Sequence, residues 1–246
     1  MTPPAWLGQG WLPARQLAFL ADGLALTATL SLLVCVAATF LGTALAAAAG
    51  SRVVLLRYPA RAFVLLHRNT PLMVQLLLWY FGAPGLLPEK AMFWLNTPHT
   101  LETPGGVSLS WPSFEVLAAF LALTFYAASF IAKEVEAGLA AVASGQREAA
   151  RALGLDAWQA FRWVVLPQAL AVIRRPLIGQ YTGVIKNTSL TMAIGVAELS
   201  YRSRQVESET LLAFQAFAVA TMLYLALILA WQWLGRAREP QWRGGR

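Results

Sequence analysis

Between Asp22 and Arg52 the chain carries no charged residue. Leu24 to Ala49 is built almost wholly from Leu, Ala, Val, Thr and other apolar or small residues. That run exceeds the ~20 apolar residues a helix needs to cross the hydrocarbon core of a bilayer. Composition agrees, being 58% hydrophobic and 13% charged, whereas soluble domains average roughly 45–50% apolar and about 25% charged. A soluble fold this apolar would lack the polar surface to cover itself, so lipid is the expected solvent.

Further apolar segments suggest about five spans: Leu24–Ala49, Phe63–Phe81, Phe114–Ile131, Pro176–Ala197 and Leu211–Leu234. The expectation is an all-α polytopic membrane protein forming a single transmembrane domain over residues 1–246. Gly42, Ala44 and Ala46 to Ala49 in the first span would let a second helix approach closely. An external loop is expected over approximately 82–112, where Pro84, Pro88, Pro98, Pro104, Pro112 and Gly105-Gly106 break helices. Phe93 and Trp94 within it suit a short interfacial segment. Met1–Arg15 holds three prolines and no basic region ahead of an apolar core, so the first span is expected to be retained and not cleaved as a signal.

The net charge of +7 is compatible with nucleic acid or an anionic membrane surface as partner. No basic run is interleaved with aromatics, and nucleic acid is not expected. Fifteen of the nineteen Lys and Arg fall in Ser51–Arg68, Ala132–Lys186 and Gly235–Arg246. The positive-inside rule puts those segments in the cytoplasm, with the N-terminus outside and the C-terminus inside. The lone Cys35 cannot form an internal disulfide, and His67 and His99 are isolated, so no metal site is expected.

The stretch Gly145 to Pro167 reads GQREAARALGLDAWQAFRWVVLP. Glu148 to Leu153 favour helix, Gly154 sits where that helix would end, and Asp156 can cap a second helix near Ala157. Short amphipathic helices in such a loop need something to bury against: the protein's own body, the membrane surface or a partner's groove. Glu148-Ala149-Ala150, then Gly154, then Val164-Val165-Leu166-Pro167 resembles the EAA signature of binding-protein-dependent ABC importer permeases, with Val164 where Ile is usual. The resemblance implies the type I ABC importer permease fold and a bacterial inner-membrane location. It also implies that a loop of approximately 139–175 docks an ATP-binding subunit through Glu148, Ala149, Ala150, Gly154, Leu166 and Pro167.

Two further blocks resemble the polar amino acid branch of that family, the histidine/glutamine/glutamate type: Arg68-Asn69-Thr70-Pro71-Leu72-Met73-Val74-Gln75-Leu76, and Ile185-Lys186-Asn187-Thr188-Ser189-Leu190 followed by Ile194 to Leu199. Asn187 stands where many relatives have Asp. The partners implied are an ATPase dimer carrying ATP-Mg, a second permease subunit (the same or related), an external solute-binding protein, and an amino acid, leaning toward glutamate/aspartate or general polar amino acids.

Polar groups within lipid are costly and usually face a bundle interior or a cavity. Thr70, Pro71 and Gln75 in span two, and Lys186, Asn187, Thr188 and Ser189 in span four, combine donors and acceptors suited to a zwitterion. They either line a translocation path or hold the bundle together by interhelical hydrogen bonds. Glu198, Arg202, Arg204, Glu207 and Glu209 read as an outer-face loop, solvated or touching a receptor. Glu134 and Glu136 read as solvated or paired with loop arginines.

No G-x-x-x-x-G-K-[ST] loop and no Ser/His/Asp grouping occurs, so the chain is expected to be a non-enzymatic subunit with no cofactor of its own. A membrane anchor or signalling subunit would need no polar knot in span four. An ion-driven carrier would call for acidic residues deep in the spans.

Overall fold

The computed structural model describes residues 11–97, 99–102, 108–110 and 112–236. The prolines and glycines at 98 and 104–106, most of the segment Met1–Arg15 and the basic tail beyond Arg236 lie outside those residues.

Helix α1 spans Ala14–Ala49, and Pro13 opens it by accepting from the Gln16 and Leu17 N–H groups. Helix α2 spans Val54–Asn69, starting well before the expected Phe63. Arg57, Arg61 and Arg68 therefore stand on a helix and not in the loop where charge counting put them. Thr70 is extended (φ −107°, ψ 137°), as the residue before a proline must be. Helix α3 (Leu72–Leu77) continues as a π turn over Leu78–Gly82 and a 3-10 turn over Ala83–Leu86.

The segment expected to be external is more regular than its prolines suggest. Helix α4 covers Glu89–Asn96 and leaves Phe93 and Trp94 exposed. Strands β1 (Thr100–Glu102) and β2 (Ser108–Ser110) pair antiparallel with Leu101 opposite Leu109. Helix α5 (Phe114–Ala141) runs ten residues past the expected end at Ile131. At its polar end Lys133 and Glu136 pair at 2.6 Å one turn apart.

Helix α6 (Ser144–Ala152) is followed by α7 (Ala157–Gln159), a π turn over Ala160–Val165 and α8 (Leu166–Asn187). Most of the expected 139–175 loop is thus helical, and the helix of span four starts at Leu166, not Pro176. The π turn lies just ahead of Pro167, whose missing N–H an ordinary α-helix could not accommodate without loss. Span four ends in a 3-10 helix, Thr188–Ile194, closed by Gly195 at φ +86°. Helix α9 (Leu199–Thr210) replaces the expected outer loop, and α10 (Ala213–Arg236) follows. Helices α1, α5 and α10 are long and apolar enough to cross a membrane.

The chain divides into two compact units whose seams fall inside α1, α3, α5 and α8. The first comprises Met1–Leu32, Leu76–Ala119 and Thr182–Arg246. Its core joins Leu20 of α1, Leu199 and Val206 of α9, and Ala216 and Ala220 of α10. The Leu199 N–H donates to Thr27 Oγ1 at 3.1 Å. The second comprises Leu33–Gln75 and Phe120–Tyr181. Ala46, Val64 and Ala132 form one cluster there, and Val142, Val165 and Ala169 a second. A Cβ on Gly42 would lie 2.8 Å from the Ala128 carbonyl oxygen and 2.9 Å from Ile131. Only glycine lets α1 and α5 come that close, as the small residues of the first span suggested. The architecture is that of an all-α polytopic membrane protein.

Candidate functional site

The EAA segment folds as two short helices joined by a tight turn. At the end of α6 the Gly154 N–H donates to the Arg151 carbonyl (2.9 Å) and the Leu155 N–H to the Ala150 carbonyl (3.1 Å). This is a Schellman closure, and it needs the left-handed φ of +80° that Gly154 supplies. Asp156 then caps α7: its carboxylate accepts from the Gln159 N–H at 2.8 Å, and Gln159 Oε1 accepts from the Asp156 N–H at 3.0 Å. The two caps fix the direction of the chain on both sides of the turn.

Of the expected docking residues, Glu148, Ala149, Gly154 and Pro167 are exposed, Leu166 is half-buried, and Ala150 is buried. Ala150 therefore serves the packing of the element and not its outer surface. Leu153 (81% exposed) and Trp158 (68%) present large apolar surface at the turn. Leu153 was legible as part of an apolar face on a short helix ended by Gly154, whereas Trp158 was not singled out in the sequence.

The second candidate region is the break between α2 and α3. Pro71 has no N–H, so the His67 carbonyl loses the donor it would have in a continuing helix. Gln75 restores it: Nε2 lies 2.9 Å from His67 O, 3.1 Å from Thr70 O and 2.7 Å from Thr70 Oγ1. Thr70 Oγ1 donates to Leu66 O at 2.9 Å, and Asn69 Nδ2 to Leu65 O at 2.8 Å. Three successive carbonyls at the end of α2 are thus taken by side chains, which resolves the termination problem every helix has. Gln75 is 5% exposed, and its Oε1 is buried without a hydrogen-bond partner. Thr70 and Gln75 spend their donors on the backbone.

The third region runs from Lys186 to Glu198, within the first unit. Lys186 is exposed, Asn187 and Ser189 are half-buried, and Thr188 is fully buried. The Thr188 hydroxyl donates to Ile185 O and the Ser189 hydroxyl to Lys186 O, both at 2.7 Å. Their lone pairs, not their protons, are what they keep for another group.

Glu198 corrects the expectation of a solvated outer loop. It is 0% exposed and caps α9, accepting from the Ser200 N–H (2.9 Å) and the Tyr201 N–H (2.8 Å). Tyr224 Oη of α10 donates to it at 2.6 Å. With that proton committed, Ser200 Oγ is the donor in its 3.0 Å contact with Tyr224 Oη. Arg202 is not a free outer cation, since its guanidinium lies 4.0 Å from the centroid of the Phe19 ring. The structure gathers Thr70, Pro71 and Gln75 in one unit and Lys186, Asn187, Thr188 and Ser189 in the other.

Residues 38–244 match the family described as binding-protein-dependent transport system inner membrane component. The glutamate/aspartate import permease protein GltJ of Escherichia coli K12 is 30% identical over 165 residues, which cover 67% of this chain and 63% of GltJ. The probable glutamine ABC transporter permease protein GlnM of Bacillus subtilis is 30% identical over 174 residues, 71% of this chain and 70% of GlnM. A crystal structure of an amino acid ABC transporter with histidines superposes with a TM-score of 0.75 at 26% identity, covering 91% of this chain and 94% of that one. A chain of the MetNI methionine ABC transporter, in an inward-facing conformation, shares the fold, with a TM-score of 0.66 at 18% identity over 93% of this chain and all of its own.

Proposed function

Starting from the premise that the chain belongs to the family of binding-protein-dependent transport system inner membrane components, we propose that it is the permease subunit of an ATP-driven amino acid importer. The α6–α7 element supports this most directly. Two caps hold a turn whose apolar tip, Leu153 and Trp158, is largely exposed among the described residues. A rigid element of this kind transmits force from a partner because its geometry does not relax when pushed. Glu148, Ala149, Gly154 and Pro167 flank the tip as docking groups, while Ala150 and Leu166 tie it to the body. ATP-Mg is held by the partner ATPase dimer.

The names of the relatives, permeases for glutamate/aspartate and for glutamine, support an amino acid as cargo over the anchor and carrier alternatives. In this reading a second permease subunit completes the path, an external binding protein delivers the cargo, and the N-terminus faces outward with the C-terminus in the cytoplasm. Thr70, Pro71, Gln75, Lys186, Asn187, Thr188 and Ser189 shape the path. Thr70 and Gln75 occupy the backbone acceptors at Pro71, the buried Thr188 supports the chain from within, and the half-buried Asn187 and Ser189 face cargo.

The test is co-purification of the full chain with its candidate ATPase, comparing wild type with Glu148→Ala/Leu153→Asp. Loss of the complex by a variant that still elutes as a folded species, with loss of reconstituted uptake, is the expected result. An unchanged complex would rule out the α6–α7 element as the coupling surface.

A further inference from the structure

Within the second unit, Tyr126, Phe130 and Glu134 follow one another at four-residue spacing on α5 and so share a face. The Arg68 guanidinium of α2 lies over the Phe130 ring, 5.2 Å from its centroid. Glu134 Oε1 accepts from Gln180 Nε2 of α8 at 3.3 Å. Tyr126, Phe130, Glu134 and Gln180 are half-buried and Arg68 is exposed. Arg68 is fourteen residues beyond the first residue of α2, about 21 Å along the helix axis. It is therefore not a residue of the loop below.

A guanidinium and a carboxylate on membrane helices would ordinarily neutralise each other. Here they do not: among the described residues neither forms an ion pair, and the pair that does form beside them is Lys133–Glu136. Each is instead tethered by a neutral group that leaves its charge unused. Stacking on Phe130 occupies the face of the guanidinium and leaves its N–H donors free. The bond from Gln180 takes one lone pair of Glu134 and leaves the rest.

We propose that Arg68 and Glu134 are the two poles of a binding site for the α-carboxylate and α-ammonium groups of a free amino acid, on the face of α5 marked by Tyr126 and Phe130. The proposal rests on the reading of the chain as an amino acid permease and adds where the common part of the cargo is recognised. The planar fork of Arg68 suits a carboxylate bidentately, and Glu134 takes the ammonium. Such a site reads what all amino acids share and leaves the side chain unread.

The experiment uses the assembled permease–ATPase complex in lipid nanodiscs without binding protein, probed with tritiated L-glutamate and L-glutamine. Saturable binding is expected, competed by the unlabelled amino acid far better than by its α-decarboxylated amine or its α-deaminated acid. Arg68→Gln and Glu134→Gln each weaken binding at least tenfold, and Arg68→Lys retains part of it. Lys133→Gln, on the neighbouring pair, leaves it unchanged. Equal competition by the amine or the acid, wild-type affinity in Arg68→Gln and Glu134→Gln, or no binding of either probe overturns the site. Receptor-driven uptake of the same amino acids by wild-type proteoliposomes separates the two levels. If uptake is absent, the importer reading itself fails; if uptake is present while the binding results go against the site, only Arg68 and Glu134 lose their role.

Discussion

The two interrupted segments of this protein solve the same problem by different means. Between α2 and α3 a single proline breaks the helix, and one side chain, the Gln75 amide, takes the place of the missing N–H. Between α8 and α9 no proline is present; the chain tightens into a 3-10 helix, turns at Gly195 and restarts at Glu198. The first repair is local, lying within eight residues. The second reaches across to Tyr224, twenty-six residues away. A break repaired locally can keep its geometry while its neighbours move, whereas one anchored to another helix must move with it. The hydrogen bonds of the α2–α3 break thus close within its own segment, and the α8–α9 break is tied to α10.

The largest expected effect is at Glu198. Replacing it with Ala strands two N–H groups at the start of α9 and the Tyr224 hydroxyl in a buried site, a cost of about 3–5 kcal/mol. Thermal unfolding of the purified chain should show a marked drop in midpoint, with Glu198→Gln between that variant and wild type. If Glu198→Ala melts like wild type, the α9–α10 anchor is not what holds the second break.

Gln75→Leu comes next. It orphans the His67 and Thr70 carbonyls and should cost about 1–3 kcal/mol. Gln75→Glu should be no better, since an ionised carboxylate has no proton to donate. The sharper test of a local repair is the double variant Pro71→Ala/Gln75→Leu. An alanine at 71 restores the backbone donor, so the pair should be coupled by about 1 kcal/mol or more, the double variant melting above Gln75→Leu alone. Additivity would mean that Gln75 acts through something other than the proline defect.

The smallest effect is expected at the α6–α7 turn, which serves as an outside reference for both breaks. Gly154→Val places a β-branched residue at φ +80° and should cost about 1–2 kcal/mol, with Gly154→Asn costing less. Because the strain lies in an exposed turn, co-purification with the ATPase should suffer more than the melting midpoint does.

Local chemistry was legible in advance. Gly154 ends α6 and Asp156 caps α7 as their residue types require, and Pro71 marks a real break. Pro71 and Gln75 are four residues apart in the sequence, yet the acceptors of the amide were not visible, because they are mostly carbonyls, which every residue has. Glu198 was misread since it stands among Arg202, Arg204, Glu207 and Glu209, a composition that reads as solvated. The signal against that was the spacing of Leu199, Ser203 and Val206, which gives α9 one buried face. Charge counting put Arg68 at the edge of a basic segment and Glu134 at the inner end of span three. The structure places Arg68 in the last turn of α2 and Glu134 well inside α5.

The sequence by itself determined that lipid is the solvent, where the long apolar helices lie, and how the α6–α7 turn is capped. Those outcomes depend on hydropathy and on hydrogen bonds closed within a few residues. Tertiary structure alone decided which polar side chains pair with one another across the fold. Thr27 meets Leu199 across 172 residues and Thr39 meets Tyr181 across 142. Pairings so distant in the chain leave no periodic trace in it. In a low-dielectric interior they are what fixes the role of each polar group, because a buried donor or acceptor must find a partner wherever the fold brings one.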